Sequence, residues 1–294
     1  MLSARFFRFF RYLNGAALRK TIERAGQRRL MGLSAEMAYN AMLALFPAIL
    51  AILTAIGLFE SSASAFQYLA RQLSLLAPKE AIFLIKGFAQ EVSQSQNQGL
   101  FSLSFFGAVW AFSGALSAAM AAFDQIHQIP PEKTRPFWKA KLISILLTVG
   151  TIVLLITASF LVFVSDWLMQ IVASRSGWFQ SDLLAAWRLL SWPVALGIVA
   201  LAFGFIYRYG PSHWNHGTPI MPGAIVAAVS WAVISALFRL YVSNFGNYNK
   251  AYGAVGAVIV LMLWLYMSCL VLLIGDQLNA TVGEAIQKKR TLSR

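Results

Sequence analysis

The chain has 294 residues, of which 59% are hydrophobic and 12% charged, and a formal net charge of +13. Soluble domains average about 45–50% apolar and about 25% charged residues. A soluble globular class is therefore excluded, and the long uncharged runs define a membrane protein. The basic excess points to membrane orientation and to anionic lipid headgroups as partners. No nucleic-acid partner is expected, because no stacking platform or groove-reading motif accompanies the charge.

Residues 1–31 form a basic amphipathic segment. In MLSARFFRFFRYL the arginines interrupt the apolar stretch, so no cleavable signal is expected and the first spanning helix acts as its own insertion signal. Phe6, Phe9, Phe10, Leu13 and Ala17 can share one helical face while Arg8, Arg11 and Arg19 stay wet. The segment reads either as a helix lying on the membrane interface or as a charged tail that only orients the protein.

Residues 32–284 read as an all-α, polytopic domain of six transmembrane helices, with apolar runs Met37–Phe59, Gly99–Phe123, Leu142–Ser165, Leu189–Tyr207, Ile220–Phe238 and Ala251–Gly275. Each provides the ~20 residues that a ~30 Å hydrocarbon core requires. Between the first two, residues 61–98 predict an external cap of two short amphipathic helices. Phe66, Leu69, Leu73 and Leu76 repeat at helical spacing, Pro78 interrupts, and Ile82, Ile85, Ala89 and Val92 repeat again. Residues 285–294 form a basic tail. Lys and Arg concentrate in residues 1–31, between the second and third runs (Lys133, Arg135, Lys139, Lys141), at Arg208 and in the tail, which places both termini in the cytoplasm of a bacterial inner membrane.

Small residues line one face of the second helix (Gly107, Ala111, Gly114, Ala118, Ala122), and Gly253 and Ala257 repeat the pattern in the sixth. Such faces let helices approach closely.

The first helix carries polar groups that an inert anchor does not need. At about 100° per residue, Glu36, Asn40, Leu43, Pro47 and Thr54 fall in one narrow stripe. Exposure of this stripe to lipid is costly, so it is expected to face protein or water. Pro47 also frees a carbonyl on the same stripe. Asp276 in the last helix is expected near the same end of the bundle as Glu36. Three readings stay open for these acids: they line a substrate or ion route, they pair with bases such as Arg28, Arg29 or Arg208 and lock the bundle, or Glu36 merely complements the positive end of its own helix.

Catalytic and metal motifs are not found. His213 and His216 lack a third ligand nearby, His127 in DQIHQIPPEK reads as a loop residue, and HExxH, GxSxG and P-loop patterns do not occur. No metal, cofactor or enzymatic activity is expected. Cys269 has no partner for an internal disulfide.

The stretches SAEMAYNAMLALFPAIL, WAFSGALSAAMAAFDQIHQI and YGAVGAVIVLMLWLYMSCLVLLIGDQLNA resemble the YihY/BrkB family of bacterial inner-membrane proteins. The resemblance runs from about residue 20 to 285. Tyr252-Gly253, Trp264-Leu265-Tyr266 and Gly275 followed by an acid carry it in the last helix. Family members often have Gly-Ala-Glu where this chain has Gly275-Asp276-Gln277, so the acid is displaced by about 100° around the helix. The resemblance implies a virulence-factor family whose ribonuclease BN label is a misassignment. The expected function is a transporter, or a translocator of lipids or envelope components, without its own ATPase. Glu36, Asn40, Pro47, Thr54 and Asp276 would form its polar path, with Glu36 able to couple movement to protons. The alternative is a non-transporting membrane scaffold that binds an envelope partner or a second copy of itself.

Overall fold

The computed structural model describes Phe9 and residues 12–58, 98–154, 180–213, 219–244 and 248–292. The expected external cap at 61–98 falls almost wholly outside the described residues.

Seven α-helices follow in chain order: α1 (Gly15–Gln27), α2 (Leu30–Leu58), α3 (Gln98–Ile126), α4 (Phe137–Leu154), α5 (Gln180–Tyr209), α6 (Met221–Asn244) and α7 (Tyr248–Leu292). Among the described residues no strand occurs. Among the described residues, four stretches are long and apolar enough to cross a membrane: Phe105–Ile126, Phe137–Leu154, Met221–Val242 and Val258–Lys288. Pro193–Tyr209 in α5 is a shorter apolar stretch, and α2 has 29 residues with Pro47 inside it.

The core mixes many alanines with a few large side chains such as Phe123, Tyr207 and Leu273, while many large apolar residues lie outside. Ala118, Ala119, Ala122, Ala224, Ala227 and Ala228 are buried, whereas Leu103, Phe106, Leu146, Val233, Leu237 and Ile259 are exposed. A surface of this kind suits lipid, which gives no solvent-driven reason to hide a leucine; small side chains let the backbones approach.

Helices α2 and α3 form the most extensive pair among the described residues, α5 packs on α6, and α7 packs on α6, α2 and α1. With 45 residues, α7 is about 67 Å long at ~1.5 Å per residue, over twice the hydrocarbon thickness. Part of it therefore extends past the bilayer, and α1 lies against its second half. Asn14 caps α1 by accepting the Ala17 N–H at 2.8 Å. Phe9 and Ala17 bury against Leu278 and Val282, and Arg24 grips Glu284 through two hydrogen bonds of 2.8 and 2.7 Å. The predicted apolar face thus meets α7 with Phe9, Leu13 and Ala17; Phe6 and Phe10 lie outside the described residues. The end of the bundle where α1, the start of α2, the end of α3 and the second half of α7 meet is called the basic end below.

Candidate functional site

The polar groups of the basic end are built on two sharp helix endings. Helix α3 closes with the Ile129 N–H on the Asp124 carbonyl and the Gln128 N–H on the Gln125 carbonyl, and Gln128 adopts the left-handed φ of 52° that this ending demands. The turn after α1 does the same at Arg29, with φ of 53°. The first ending directs the His127 imidazole into the bundle. The second turns Arg28 inward.

His127 Nε2 lies 3.0 Å from Asp276 Oδ2, with side-chain exposures of 5% and 0%. The other oxygen, Asp276 Oδ1, is buried without a hydrogen-bond partner among the described residues. Burial by itself pushes the His127 pKa down, but the hydrogen bond and negative charge of Asp276 outweigh burial and raise it above its ordinary value. Arg28 donates to the Ile126 carbonyl and, at 2.8 Å, to Gln277 Oε1. Its guanidinium thereby caps the negative end of α3 and ties it to α7. Gln277 continues to Thr281 Oγ1 at 3.1 Å.

Two glycines admit the remaining contacts. The Tyr207 hydroxyl donates to the Leu272 carbonyl at 2.7 Å, an approach allowed because Gly275 has no Cβ; one placed there would lie 2.4 Å from that hydroxyl. Asn279 accepts the Gly223 N–H at 2.9 Å and donates to the Ile220 carbonyl at 3.1 Å, which caps the start of α6 from a different helix. A Cβ on Gly223 would stand 2.2 Å from the Asn279 amide oxygen. On the neighbouring loop, Asp124 accepts from the backbone and hydroxyl of Ser212 at 2.6 Å each, and Arg135 closes the end of α5 through the carbonyls of Tyr209, Gly210 and Pro211.

The stripe on α2 is split. Asn40 folds back onto the Glu36 carbonyl at 2.9 Å and presses against Gly114, and Pro47 rests on Gly107. Glu36 and Leu43 are exposed. Rotation accounts for the split: Asn40 and Pro47 sit about 40° and 20° to one side of Glu36 and Leu43 about 20° to the other. The seam with α3 falls between them. Glu36 makes no ion pair among the described residues. Thr54 lies in α2, and its side chain is outside the described residues. On α3, Ala118 is buried and Ala111 partly so; Gly253 and Ala257 lie in the first turns of α7, where those side chains are not described.

Sequence reasoning placed Asp276 at this end and missed its partner. His127 is no loop bystander, and Arg28 meets an amide and a carbonyl rather than an acid. Only the helix-ending pattern around His127 hinted at an inward side chain. His213 is exposed, His216 is outside the described residues, and no group of three metal-ligating side chains occurs among those described.

The exposed large apolar residues around an alanine-rich helical core define a multi-pass, all-helical membrane protein with a buried polar layer at one end. The chain belongs to the family described as Virulence factor BrkB, whose profile matches residues 21–294. YfkH of Bacillus subtilis, which carries a ribonuclease-like name, is 30% identical over 248 residues, 84% of this chain and 88% of that protein. A UPF0761 membrane protein of Tolumonas auensis is 27% identical over 280 residues, covering 90% of this chain and 84% of its own length. One from Stenotrophomonas maltophilia is 28% identical over 267 residues, 87% of this chain and 58% of its own length. No solved structure matches.

Proposed function

We propose that the chain translocates a lipid or another envelope amphiphile across the bacterial inner membrane, with both termini cytoplasmic and no ATP site of its own. The observation that carries this reading is Glu36. It is an exposed carboxylate without an ion pair among the described residues, set beside the seam where Asn40 and Pro47 meet the glycine face of α3. Membrane-level acids lean functional because an idle one is costly. A seam of small residues flanked by an exposed acid suits a polar headgroup moving along the side of the bundle while its tails remain in lipid. The buried His127–Asp276 layer then holds the helices that frame the seam.

The test is leaflet exchange of labelled phospholipids in liposomes reconstituted with the protein. Exchange well above empty liposomes, reduced by Glu36→Gln, is the expected result. Absence of exchange across neutral and anionic lipid mixtures would abandon translocation. The second reading is a membrane scaffold, favoured by one observation. Helix α1 is fixed to α7 by Arg24–Glu284 yet leaves Leu18 and Ile22 exposed beside Arg19 and Lys20, a face suited to an acidic amphipathic partner. Nothing in this arrangement supports nuclease chemistry, and the ribonuclease-like name belongs to the Bacillus relative.

A further inference from the structure

A second polar stripe lies on α4. Lys141, Ser144, Thr148 and Thr151 fall within an arc of about 80°. Ser144 and Thr148 are buried and bonded back to the carbonyls of Lys141 and Ser144 at 2.8 Å each. Thr151 Oγ1 is buried without a hydrogen-bond partner among the described residues. Lys141 heads the stripe inside a stretch long and apolar enough to span the membrane. Its ammonium reaches α3, where it donates to Ser113 Oγ at 2.6 Å and to the Trp110 carbonyl at 3.5 Å and stands 4.3 Å from the centre of the Trp110 ring. From Ser113 to Ile126, α3 rises about 20 Å, so the charge lies well away from the end of α3.

The electrostatics are incomplete. No carboxylate pairs with Lys141 among the described residues. The positive end of α4, one turn away, adds to the charge rather than offsetting it. A hydroxyl, a long contact to a carbonyl and an aromatic face are neutral partners and compensate an ammonium only in part. The site opens sideways: Trp110 is 61% exposed, and Phe106, one turn before it on α3, is exposed as well.

We propose that Lys141, with Ser113 and Trp110, binds the phosphate of an anionic amphiphile whose tails lie along the exposed faces of Trp110 and Phe106. This assignment rests on the translocation reading and names its substrate class. The phosphate supplies the missing negative charge, these apolar faces select an amphiphile over a free ion, and Thr151 offers a further hydroxyl along the stripe.

The test is native mass spectrometry of the full chain in neutral detergent, titrated with dioleoylphosphatidylglycerol. Lys141→Gln is expected to weaken binding about tenfold, the scale of one charge-assisted hydrogen bond. Lys141→Met, similar in shape and uncharged, gives the same loss independently, and Lys141→Arg retains binding. Lys139→Gln, an exposed lysine on the same turn, stays within about twofold. Wild-type affinity in both uncharged Lys141 variants, or an equal loss in Lys139→Gln, overturns the site. Displacement of the lipid by millimolar inorganic phosphate reassigns the occupant to free phosphate and overturns the amphiphile part. Leaflet exchange measured on the same preparations separates the two claims. Wild-type protein without exchange removes translocation and leaves the binding result standing. Normal exchange with unchanged binding in the Lys141 variants removes only this site.

Discussion

Asp276 is enclosed on α7 with His127 against one oxygen, whereas Glu36 on α2 is exposed and without an ion pair among the described residues. The two acids belong to helices that share one core cluster, through Leu30 and Met37 on one side and Leu272 and Leu273 on the other. The buried acid is surrounded by close contacts that leave no room for movement: Tyr207 over Gly275, Asn279 over Gly223, Arg28 across to Gln277. The exposed acid borders a seam of glycines. In a membrane protein a carboxylate can thus serve as a fastener or remain free to meet a moving headgroup, and the packing around it separates the two roles.

The comparison breaks most sharply on stability. Asp276→Ala removes one partner of a buried pair and leaves His127 buried without it; the expected loss is about 3–5 kcal/mol. It is read as a lowered denaturation midpoint in detergent. An unchanged midpoint would show that the pair holds nothing. Gly275→Ala comes next. Its new Cβ would lie 2.4 Å from the Tyr207 hydroxyl and 2.6 Å from Ala227 Cβ, an overpacking expected to cost about 1–3 kcal/mol. Gly114→Ala should cost less, because only the Asn40 amide at 2.9 Å has to move. Equal losses at the two glycines would contradict the contrast between a closed layer and a looser seam.

The third expected effect is a pH dependence. His127 is raised above its ordinary value of 6.5 by Asp276, against burial and the nearby Arg28, with Asp124 also raising it. Folding therefore favours the protonated ring. The contribution is full below pH 6.5 and is lost as pH rises through the higher native value. Melting temperature should fall over that upper window in the wild type and stay flatter in His127→Gln. A wild-type melting temperature that rises there, with no change in the variant, would reverse the sign of the pair.

Much of this arrangement was legible in the sequence as periodicity. The glycine face of α3, the stripe on α2 and the apolar face of the N-terminal segment all follow from the rotation per residue. Angle alone, however, could not tell which side of the α2–α3 seam Glu36 falls on, since 20–40° decides it. The His127–Asp276 pair joins residues 149 apart, and no local pattern encodes such a distance. The Lys141 stripe is hidden for a different reason: Lys141 stands just before an apolar run and reads as a loop charge, although Ser144, Thr148 and Thr151 repeat behind it at helical spacing.

The measurement that bears most directly on the central claim is leaflet exchange beside melting temperature for wild type, Glu36→Gln and Asp276→Asn in one lipid mixture. The account predicts that Glu36→Gln keeps the wild-type melting temperature and loses most exchange, while Asp276→Asn lowers the melting temperature and loses exchange only as the folded fraction falls. Wild-type exchange in Glu36→Gln, or loss of exchange in a fully folded Asp276→Asn, would contradict the assignment of the two acids.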